Sequence, residues 1–495
     1  MLEITLLPSN SRVTRLSHLA VLALAAFVLA DLSFRLRPTG YFGGSSDEQR
    51  YLETALQWII HGPHAGTTHW SLRHPLIIAI VASFRHYGIT MDALQLVPRL
   101  FGDLLFAVTT VFVTRVAGLR SALIWLAIAL TMPVFHIAAT NAGPEIVELA
   151  FGAISLWAFW EGRDGGRRGV ALMSLSGAAL ALALLTRETS ACLLLVYGYA
   201  WLRGHARRST ILAFALGFVP VIAIDTVWLW ALTGKPFYRL MVDQSHTGIY
   251  SAHLIGGIYH GRSYLNLDLA SRWVPVGPVV IHWTIDPILN FLAAPTFALV
   301  FLAWLVLWWA RSTRPLPNTL AARAAPWLFG IALACYVTVT WLLTIRPQPR
   351  YYLFAVYAAT LAVALIAGQP MEERKARLIR RIMLALGIFT GTLTILLSPY
   401  RPQDAELILP WLKQHPAIVL HIAREDAKRM AFPAILAGRQ AQISGAPTPI
   451  GALQVRFIVK PPGPGQWRQV TVLQGPWLFP YINPPRRLVI ERRIG

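Results

Sequence analysis

The sequence predicts an all-α polytopic membrane protein that carries a small α/β domain at its C-terminal end. Three observations lead to this fold class. Hydrophobic residues make up 55 % of the 495 residues and only 14 % are charged, while the mean hydropathy is +0.52, and such values are wrong for a soluble domain. Long apolar runs recur as far as residue 399. The gaps between them alternate between short basic stretches and less basic stretches, as in proteins that cross a membrane repeatedly.

About eleven apolar runs qualify as transmembrane helices by hydropathy. The basic gaps all fall on one side of the membrane if these spans are right, and the positive-inside rule makes that side cytoplasmic. We therefore expect a multi-pass protein of the plasma (inner) membrane with a cytoplasmic N-terminus and an extracytoplasmic C-terminal domain. The predicted spans are residues 17–35, 94–116, 119–138, 144–161, 168–186, 189–204, 209–232, 286–310, 323–345, 351–369 and 381–399.

The charge balance and the cysteines exclude several function classes. The formal net charge is +21, from 44 Lys and Arg against 23 Asp and Glu. A nucleic-acid-binding protein also has such an excess, but here the bases lie mostly between apolar runs and suit anionic lipid head groups. We therefore expect membrane lipids and no nucleic acid as partners. Cys192 and Cys335 lie inside apolar runs and predict neither a disulfide framework nor a metal cluster.

The composition changes near residue 400, where prolines and charges become more frequent and apolar runs shorten. We expect two domains, a transmembrane domain over residues 1–399 and a small extracytoplasmic domain over residues 400–495. In the second domain, residues 417–422, 453–459, 469–473 and 487–490 have strand character. Residues 424–437 have the character of a short helix.

The first outer loop, residues 36–93, begins with a predicted amphipathic helix. Ser46 is a good N-cap and Gln49 completes a capping box, while Gly62 and Pro63 end the helix. Its apolar residues recur at helical spacing and form one stripe, which predicts a helix on the membrane surface. These residues are Tyr51, Leu52, Ala55, Leu56, Ile59 and Ile60.

Asp47 and Glu48 fall in the first turn of that helix. Free N–H groups and the positive end of the helix dipole favour ionised carboxylates there. A carboxylate kept charged at a membrane surface has what a general base requires. The alternative is that the two acids merely occupy a helix N-terminus, where acids are common.

Further charged groups reach the outer side if the topology holds. Arg73 and His74 precede a second apolar piece, residues 75–84, which we interpret as another interfacial helix. Glu145 begins the fourth span. Arg187, Arg346 and Arg350 follow other spans, with Arg99 slightly deeper. Arginine binds phosphate bidentately, so a carboxylate among these cations indicates an anionic lipid substrate. The alternative for each arginine is a side chain that only snorkels to the interface.

Histidines and buried acids provide weaker signals. His61, His64, His69 and His74 lack the spacing of known metal motifs, so we expect them to be surface histidines. Asp225 lies inside an apolar run, and there we expect a paired side chain that faces the helix bundle.

The organisation of residues 15–370 resembles the GT-C superfamily of integral membrane glycosyltransferases. The nearest branch is the protein O-mannosyltransferase and aminoarabinose-transferase type. Asp47-Glu48 on an amphipathic helix and His74-Pro75 before a second one carry the resemblance. Residues 96–102, Pro144-Glu145 and Arg350-Tyr351 also match in position. Leu76 stands where that family often has a second proline, and Asn141 stands near a frequent aspartate.

The resemblance implies a glycosyltransferase that moves a sugar from a polyprenyl-phosphate donor to a hydroxyl of a lipid, glycan or protein acceptor on the outer membrane face. Asp47 would be the general base, with inversion at the sugar carbon, and Glu48 and Glu145 would orient the acceptor or the base. Arg73 and His74 would belong to the acceptor loop. The donor phosphate would be held by Arg187, Arg346, Arg350 and Tyr351.

Because arginine can neutralise the charge that develops on the leaving phosphate, we expect neither an essential metal nor another cofactor. Two other function classes remain open. A polytopic transporter or lipid flippase would place ionisable groups at mid-membrane on broken, repeated helices. A non-enzymatic scaffold would use the outer domain to bind a partner.

Overall fold

The computed structural model describes residues 12–36, 46–243, 320–343, 349–368, 404–422, 433–457, 465–474 and 487–495, with residues 258–259, 281–282, 378, 381, 385 and 430. The predicted span 286–310 and Arg346 lie outside the described residues, as does most of the span 381–399 and of the predicted helix 424–437.

Helices dominate the described part of the chain. They are α1 (Arg12–Leu36), α2 (Ser46–His61), α3 (His74–Tyr87), α4 (Met91–Ala117), α5 (Leu119–Thr131), α6 (Pro133–Thr140), α7 (Glu145–Gly162), α8 (Gly166–Thr186), α9 (Ala191–Leu202), α10 (Thr210–Thr233), α11 (Leu320–Val337), α12 (Leu353–Ala367) and α13 (Asp404–Gln414). Short 3₁₀ turns at His69–Leu72, Glu188–Ser190 and Pro349–Tyr352 precede α3, α9 and α12. A π-helical turn, Thr338–Leu342, extends α11.

Among the described residues, five helices are long and apolar enough to cross a membrane: Ser17–Arg35, Met91–Ala117, Gly166–Thr186, Thr210–Thr233 and Arg350–Ala367. A sixth is obtained if α5 and α6 form one span, although their axes differ by 69°. Pro133 begins α6, and a proline supplies no N–H to continue the hydrogen bonds of α5. The protein is therefore a multi-pass membrane protein, and the total of eleven spans stays a prediction.

The helices differ in how much of their apolar surface lies inside the protein. The apolar window of the α12 span is 89 % buried, whereas that of α10 is only 22 % buried. Because α10 is apolar apart from Asp225 and a few threonines and is largely uncovered by protein, it has the character of a lipid-facing helix. It packs closely on α8, where a Cβ atom at Gly217 would overlap the Ser174 carbonyl and one at Gly177 would overlap the Phe214 carbonyl.

The amphipathic helix α2 spans the predicted residues, but its apolar stripe faces protein. Tyr51, Leu52 and Ala55 are each at most 5 % exposed and belong to the main core, while Ile60 is exposed. Helix α2 packs against α3. The helix therefore fixes its first turn against the bundle, which holds Asp47 in a defined position.

Among its described residues, the C-terminal region contains five strands: β3 (Leu420–Ile422), β4 (Ile443–Ser444), β5 (Leu453–Phe457), β6 (Trp467–Gln474) and β7 (Arg487–Arg493). They form one mixed sheet in the order β4-β3-β5-β7-β6. Strand β3 runs parallel to β4 and β5, and β7 runs antiparallel to β5 and β6. Four were predicted, and β4 was missed because two residues carry no periodic signal. A separate two-stranded ribbon pairs β1 (Ile258–Tyr259) with β2 (Ile281–His282).

Candidate active site

Asp47 lies in the first turn of α2 and contacts two distant donors. The Trp70 indole Nε1–H donates to Oδ1 over 3.0 Å, and Arg350 Nη2 donates to Oδ2 over 2.9 Å. The side chain is 24 % exposed. Because each carboxylate oxygen accepts from a donor, the ionised form of Asp47 satisfies both contacts.

Arg350 reaches this site from the 3₁₀ turn before α12. Its Nη1 atom lies 3.9 Å from Glu145 Oε1. Its Nε–H is buried and has no hydrogen-bond partner among the described residues. Arg350 therefore bridges two carboxylates and keeps one donor that a further anion could use.

Glu145 and Arg187 form the second ion pair of the cluster. Arg187 Nη1 donates to Glu145 Oε1 over 2.9 Å, and both side chains are largely buried. The Arg187 guanidinium lies 4.3 Å from the centre of the Tyr351 ring, and the Arg350 guanidinium lies 5.4 Å from the same centre. Tyr351 thus holds the two cations together through its ring face.

Tyr51 is a central residue of the site that the sequence analysis counted only as part of the apolar stripe. Its side chain is buried, and the charges of Arg73, Glu145, Arg187 and Asp47 all act on its hydroxyl. Burial raises the pKa of Tyr51 far above its usual value, and although Arg73 and Arg187 lower that pKa while Glu145 and Asp47 raise it, burial dominates. The phenol is therefore neutral and can donate. The sequence did contain a signal for this role, because Tyr51 lies one helical turn after Asp47 and therefore on the same face of α2.

Two acids stand close to Asp47 and Glu145 in sequence. Glu48 is 6 % exposed, so the predicted acidic turn is largely buried. Glu148 was not predicted, although it lies one turn after Glu145 on α7. It is 1 % exposed and accepts hydrogen bonds from Thr189 Oγ1 at 2.5 Å and Ser190 Oγ at 2.8 Å. These bonds tie the start of α9 to α7.

Arg73 is buried and forms an ion pair with Glu188. Burial by itself would raise the pKa of Glu188, but the Arg73 guanidinium outweighs it and lowers that pKa to about 2. Burial first, and then the charge of Glu188, raises the pKa of nearby Asp243 to about 7. Arg73 thus neutralises an acidic pair, and its predicted place in an acceptor loop stays a prediction.

His74 was expected at the surface, and that expectation is wrong. The residue is only 5 % exposed, and its Nδ1 contacts the Asp225 carboxylate on α10. Arg239 also contacts Asp225, with Nε 3.0 Å from Oδ2. The expectation that Asp225 is paired and faces the bundle is confirmed.

The arrangement combines a partly exposed carboxylate with guanidinium groups that can bind an anion. Arg187 and Arg350 are brought to Asp47 and Glu145 from distant turns, while Arg346 lies outside the described residues. In the described part of the chain, no group of three or more His, Cys, Asp or Glu is placed to hold a metal ion.

This chain is similar to solved structures, although no match to it is found by sequence. No protein-family model matches the sequence, and no curated protein matches it. The crystal structure of ArnT from Cupriavidus metallidurans bound to undecaprenyl phosphate is similar over 97 % of this chain and 98 % of its own, with 14 % identity and a TM-score of 0.50. Its apo state is similar over 96 % and 98 %, with 14 % identity and a TM-score of 0.51.

The cryo-EM structure of the arabinofuranosyltransferase AftD from Mycobacteria is similar over 82 % of this chain but only 29 % of its own, with 15 % identity and a TM-score of 0.43. The ArnT structures are the ones that establish the architecture, because their similarity extends over nearly the full length of both chains. The chain therefore has the fold of ArnT, and the predicted resemblance to the GT-C membrane glycosyltransferases is confirmed at the level of the fold.

Proposed function

We propose that this protein transfers a sugar from a polyprenyl-phosphate donor to an acceptor hydroxyl on the outer face of the plasma membrane. The observation that carries the proposal is the contact of Asp47 with Arg350, 303 residues later in the chain. This contact joins a carboxylate to the Glu145–Arg187 pair in one cluster on a chain with the ArnT fold. The ArnT crystal bound to undecaprenyl phosphate supports a donor of that class.

Asp47 acts as the general base. The acceptor hydroxyl loses its proton to an Asp47 carboxylate oxygen as the acceptor oxygen forms a bond to the anomeric carbon of the sugar. The bond from that carbon to the phosphate oxygen breaks on the opposite face, and its electron pair leaves with the phosphate. The configuration at the anomeric carbon is therefore inverted. The 24 % exposure of the Asp47 side chain allows the hydroxyl to approach, and proton transfer requires that approach.

Arg350 and Arg187 stabilise the departing polyprenyl phosphate. The phosphate gains negative charge as the sugar leaves, and preorganised guanidinium groups stabilise such charge. Arg350 offers the buried Nε–H that has no partner among the described residues. Tyr351 keeps both guanidinium groups against its ring face. By the family resemblance, Arg346 contributes a third cation.

Glu145 and Glu48 position these groups rather than react. Glu145 holds Arg187 at 2.9 Å and lies 3.9 Å from Arg350, so it sets the spacing of the two cations. The neutral Tyr51 hydroxyl donates a hydrogen bond to an anionic oxygen of the bound donor. Arg73 faces the acceptor side of the site in this proposal, and no such role is proposed for His74, whose ring is paired with Asp225.

Asp47 is proposed as the base and Arg350 as a phosphate ligand, and binding of polyprenyl phosphate alone distinguishes these two roles. The measurement needs neither the sugar nor the acceptor. We expect the full chain in lipid nanodiscs to bind the phosphate and Arg350→Gln to bind it about 100-fold more weakly, as for the loss of a preorganised cation contact. Asp47→Asn should bind it as well as the native protein or better, because a like charge near the phosphate is removed.

Arg115→Gln is the matched control for this experiment. Arg115 lies 2.7 Å from Glu161 and has a side-chain exposure of 28 %, close to the 33 % of Arg350. The control removes the same kind of ion pair away from the proposed site, and its phosphate affinity should be native. Equal affinity of Arg350→Gln and Arg115→Gln would contradict the phosphate-binding role, and no binding by the native protein would contradict the donor class.

A further inference from the structure

A cavity of about 600 Å³ lies between α2, α3, α8 and α10. Its size is typical of sites that bind small molecules. The rim includes the residues Ile78 and Ile224, which are 55 % and 70 % exposed, whereas Trp58 and His74 on the inner wall are 4 % and 5 % exposed. Because α10 has the character of a lipid-facing helix, the cavity is accessible from the hydrocarbon side of the protein.

The inner wall contains an Asp–His pair with a defined tautomer. His74 Nδ1 contacts Asp225 Oδ1, and Arg239 donates to both carboxylate oxygens at 3.0 and 3.2 Å. An ionised carboxylate only accepts hydrogen bonds, so His74 Nδ1 carries the proton. Burial lowers the pKa of His74 most strongly, and although the Asp225 contact opposes this, the net shift is downward. The ring is therefore neutral at pH 7, and its Nε2 atom is an acceptor.

Two polar atoms on this wall have no hydrogen-bond partner among the described residues. They are His74 Nε2, an acceptor, and Trp58 Nε1–H, a donor. The Trp58 and His74 rings lie 5.7 Å apart between centroids, and Trp228 packs edge-on against His74 at 4.7 Å. Buried polar atoms are rarely left unsatisfied, since each one costs free energy. A single hydroxyl group satisfies both, because it donates one hydrogen bond and accepts another.

We propose that this cavity binds a long-chain alcohol, that is, an apolar lipid chain bearing a hydroxyl group. The hydroxyl donates to His74 Nε2 and accepts from Trp58 Nε1–H, and the chain fills the apolar part of the cavity towards Ile78 and Ile224. Such a ligand enters laterally from the bilayer. Both straight acyl-type chains and isoprenoid chains have this chemistry.

The site is separate from the Asp47 cluster. Trp58 lies eleven residues after Asp47 on α2, which at 1.5 Å per residue places the two about 16 Å apart along the helix. A hydroxyl bound to His74 is therefore not the group that Asp47 deprotonates. The test below uses no sugar transfer, so its outcome does not depend on the proposed function.

Photolabelling of the full chain in lipid nanodiscs tests the proposal. The probes are a long-chain alcohol with a diazirine in its chain and the corresponding methyl ether, which accepts a hydrogen bond but cannot donate one. We expect the alcohol to label peptides of α3 and α10 at least fivefold more than the ether, as for one additional net hydrogen bond. His74→Phe should bring the two probes close to equal labelling, because it removes the acceptor of the hydroxyl proton. Trp58→Phe should keep the preference but lower the labelling by both probes severalfold, because the oxygens of both probes accept from Trp58 Nε1–H.

Trp157→Phe is the matched control, because the Trp157 Nε1–H is also buried without a partner among the described residues but does not line the cavity. It should keep both the fivefold preference and the native yield of labelling. Equal labelling by both probes in the native protein, or labelling by the alcohol in Trp58→Phe as strong as in Trp157→Phe, would overturn the proposal, and Trp58→Phe suffices if His74→Phe does not fold. Unlabelled straight-chain and isoprenoid alcohols then compete for the label. Competition by one identifies the chain class, and competition by neither overturns the proposal.

Discussion

The ion pair between Arg73 and Glu188 provides a prediction that needs no substrate. Glu188→Gln removes one carboxylate from this pair. A pKa lowered from 4.5 to about 2 corresponds to roughly 3 kcal/mol of stability at neutral pH. Because the Glu188 side chain is 27 % exposed, solvent screening reduces this, and we expect a loss of about 2 kcal/mol. Arg73→Gln should cost more, about 3–5 kcal/mol, because it removes the cation that acts most strongly on Glu188 and Asp243.

The free energy of unfolding, measured in mixed micelles by titration with a denaturing detergent, checks these values. The double variant Arg73→Gln/Glu188→Gln should lose less than the sum of the single variants, since neither charge is left alone. The pH dependence has a fixed sign. A lowered pKa gives stability that is present above pH 4.5 and is lost as the pH falls towards about 2, and Glu188→Gln should remove this part of the acid sensitivity.

Glu53→Gln is the control for Glu188→Gln. Glu53 forms an exposed ion pair with Arg50, with an N–O distance of 3.5 Å and side-chain exposures of 42 % and 55 %, and such pairs contribute little. Its stability should therefore be native within about 0.5 kcal/mol. If Glu188→Gln is as stable as Glu53→Gln, or if the double-variant cycle shows no coupling, the assigned role of the Arg73–Glu188 pair is refuted.

Two further predictions concern stability. The carboxyl pKa of Asp243 is raised from 3.8 to about 7, so the folded protein keeps a proton that the unfolded chain releases. The free energy of unfolding should therefore fall as the pH rises from about 4 to 7. An unfolding titration across this window should show the fall in the native protein and not in Asp243→Asn. Gly217→Ala should destabilise the protein by about 1–3 kcal/mol, because its methyl group would overlap the Ser174 carbonyl in a tight helix contact. The same unfolding assay should show no loss for Gly198→Ala, where nothing lies within 4 Å of the added atom.

The elements that local signals define were predicted well from the sequence. The N-cap, the capping box and the Gly62 stop predicted a helix over residues 46–61, and α2 occupies Ser46–His61. The helix predicted over residues 75–84 also forms, as α3 (His74–Tyr87). The partner of the α2 stripe was not predictable in the same way, because periodicity shows which face is apolar and does not distinguish lipid from protein as its neighbour.

Contacts between residues far apart in the chain were the part of the site that was hardest to predict from the sequence. The alternation of basic and less basic gaps grouped Asp47, Glu145, Arg187 and Arg350, and the structure brings these four together. The same reasoning wrongly predicted a surface position for His74, because its partner Asp225 is 151 residues away and no local pattern links the two. The bend between α5 and α6 was missed as well, since hydropathy alone joins residues 119–138 into one run across Pro133.

The central claim concerns the carboxylate of Asp47, and turnover tests it most directly. The measurement is the release of polyprenyl phosphate from polyprenyl-phosphate sugars by the full chain in nanodiscs, with a membrane extract as the source of acceptors. Because this product is common to every sugar and acceptor, neither needs to be known. The account predicts release by the native protein and at least a 100-fold loss in a folded Asp47→Asn variant that still binds polyprenyl phosphate. Native release by Asp47→Asn would contradict the assignment of the base, and movement of the donor across vesicles without release would favour a transporter instead.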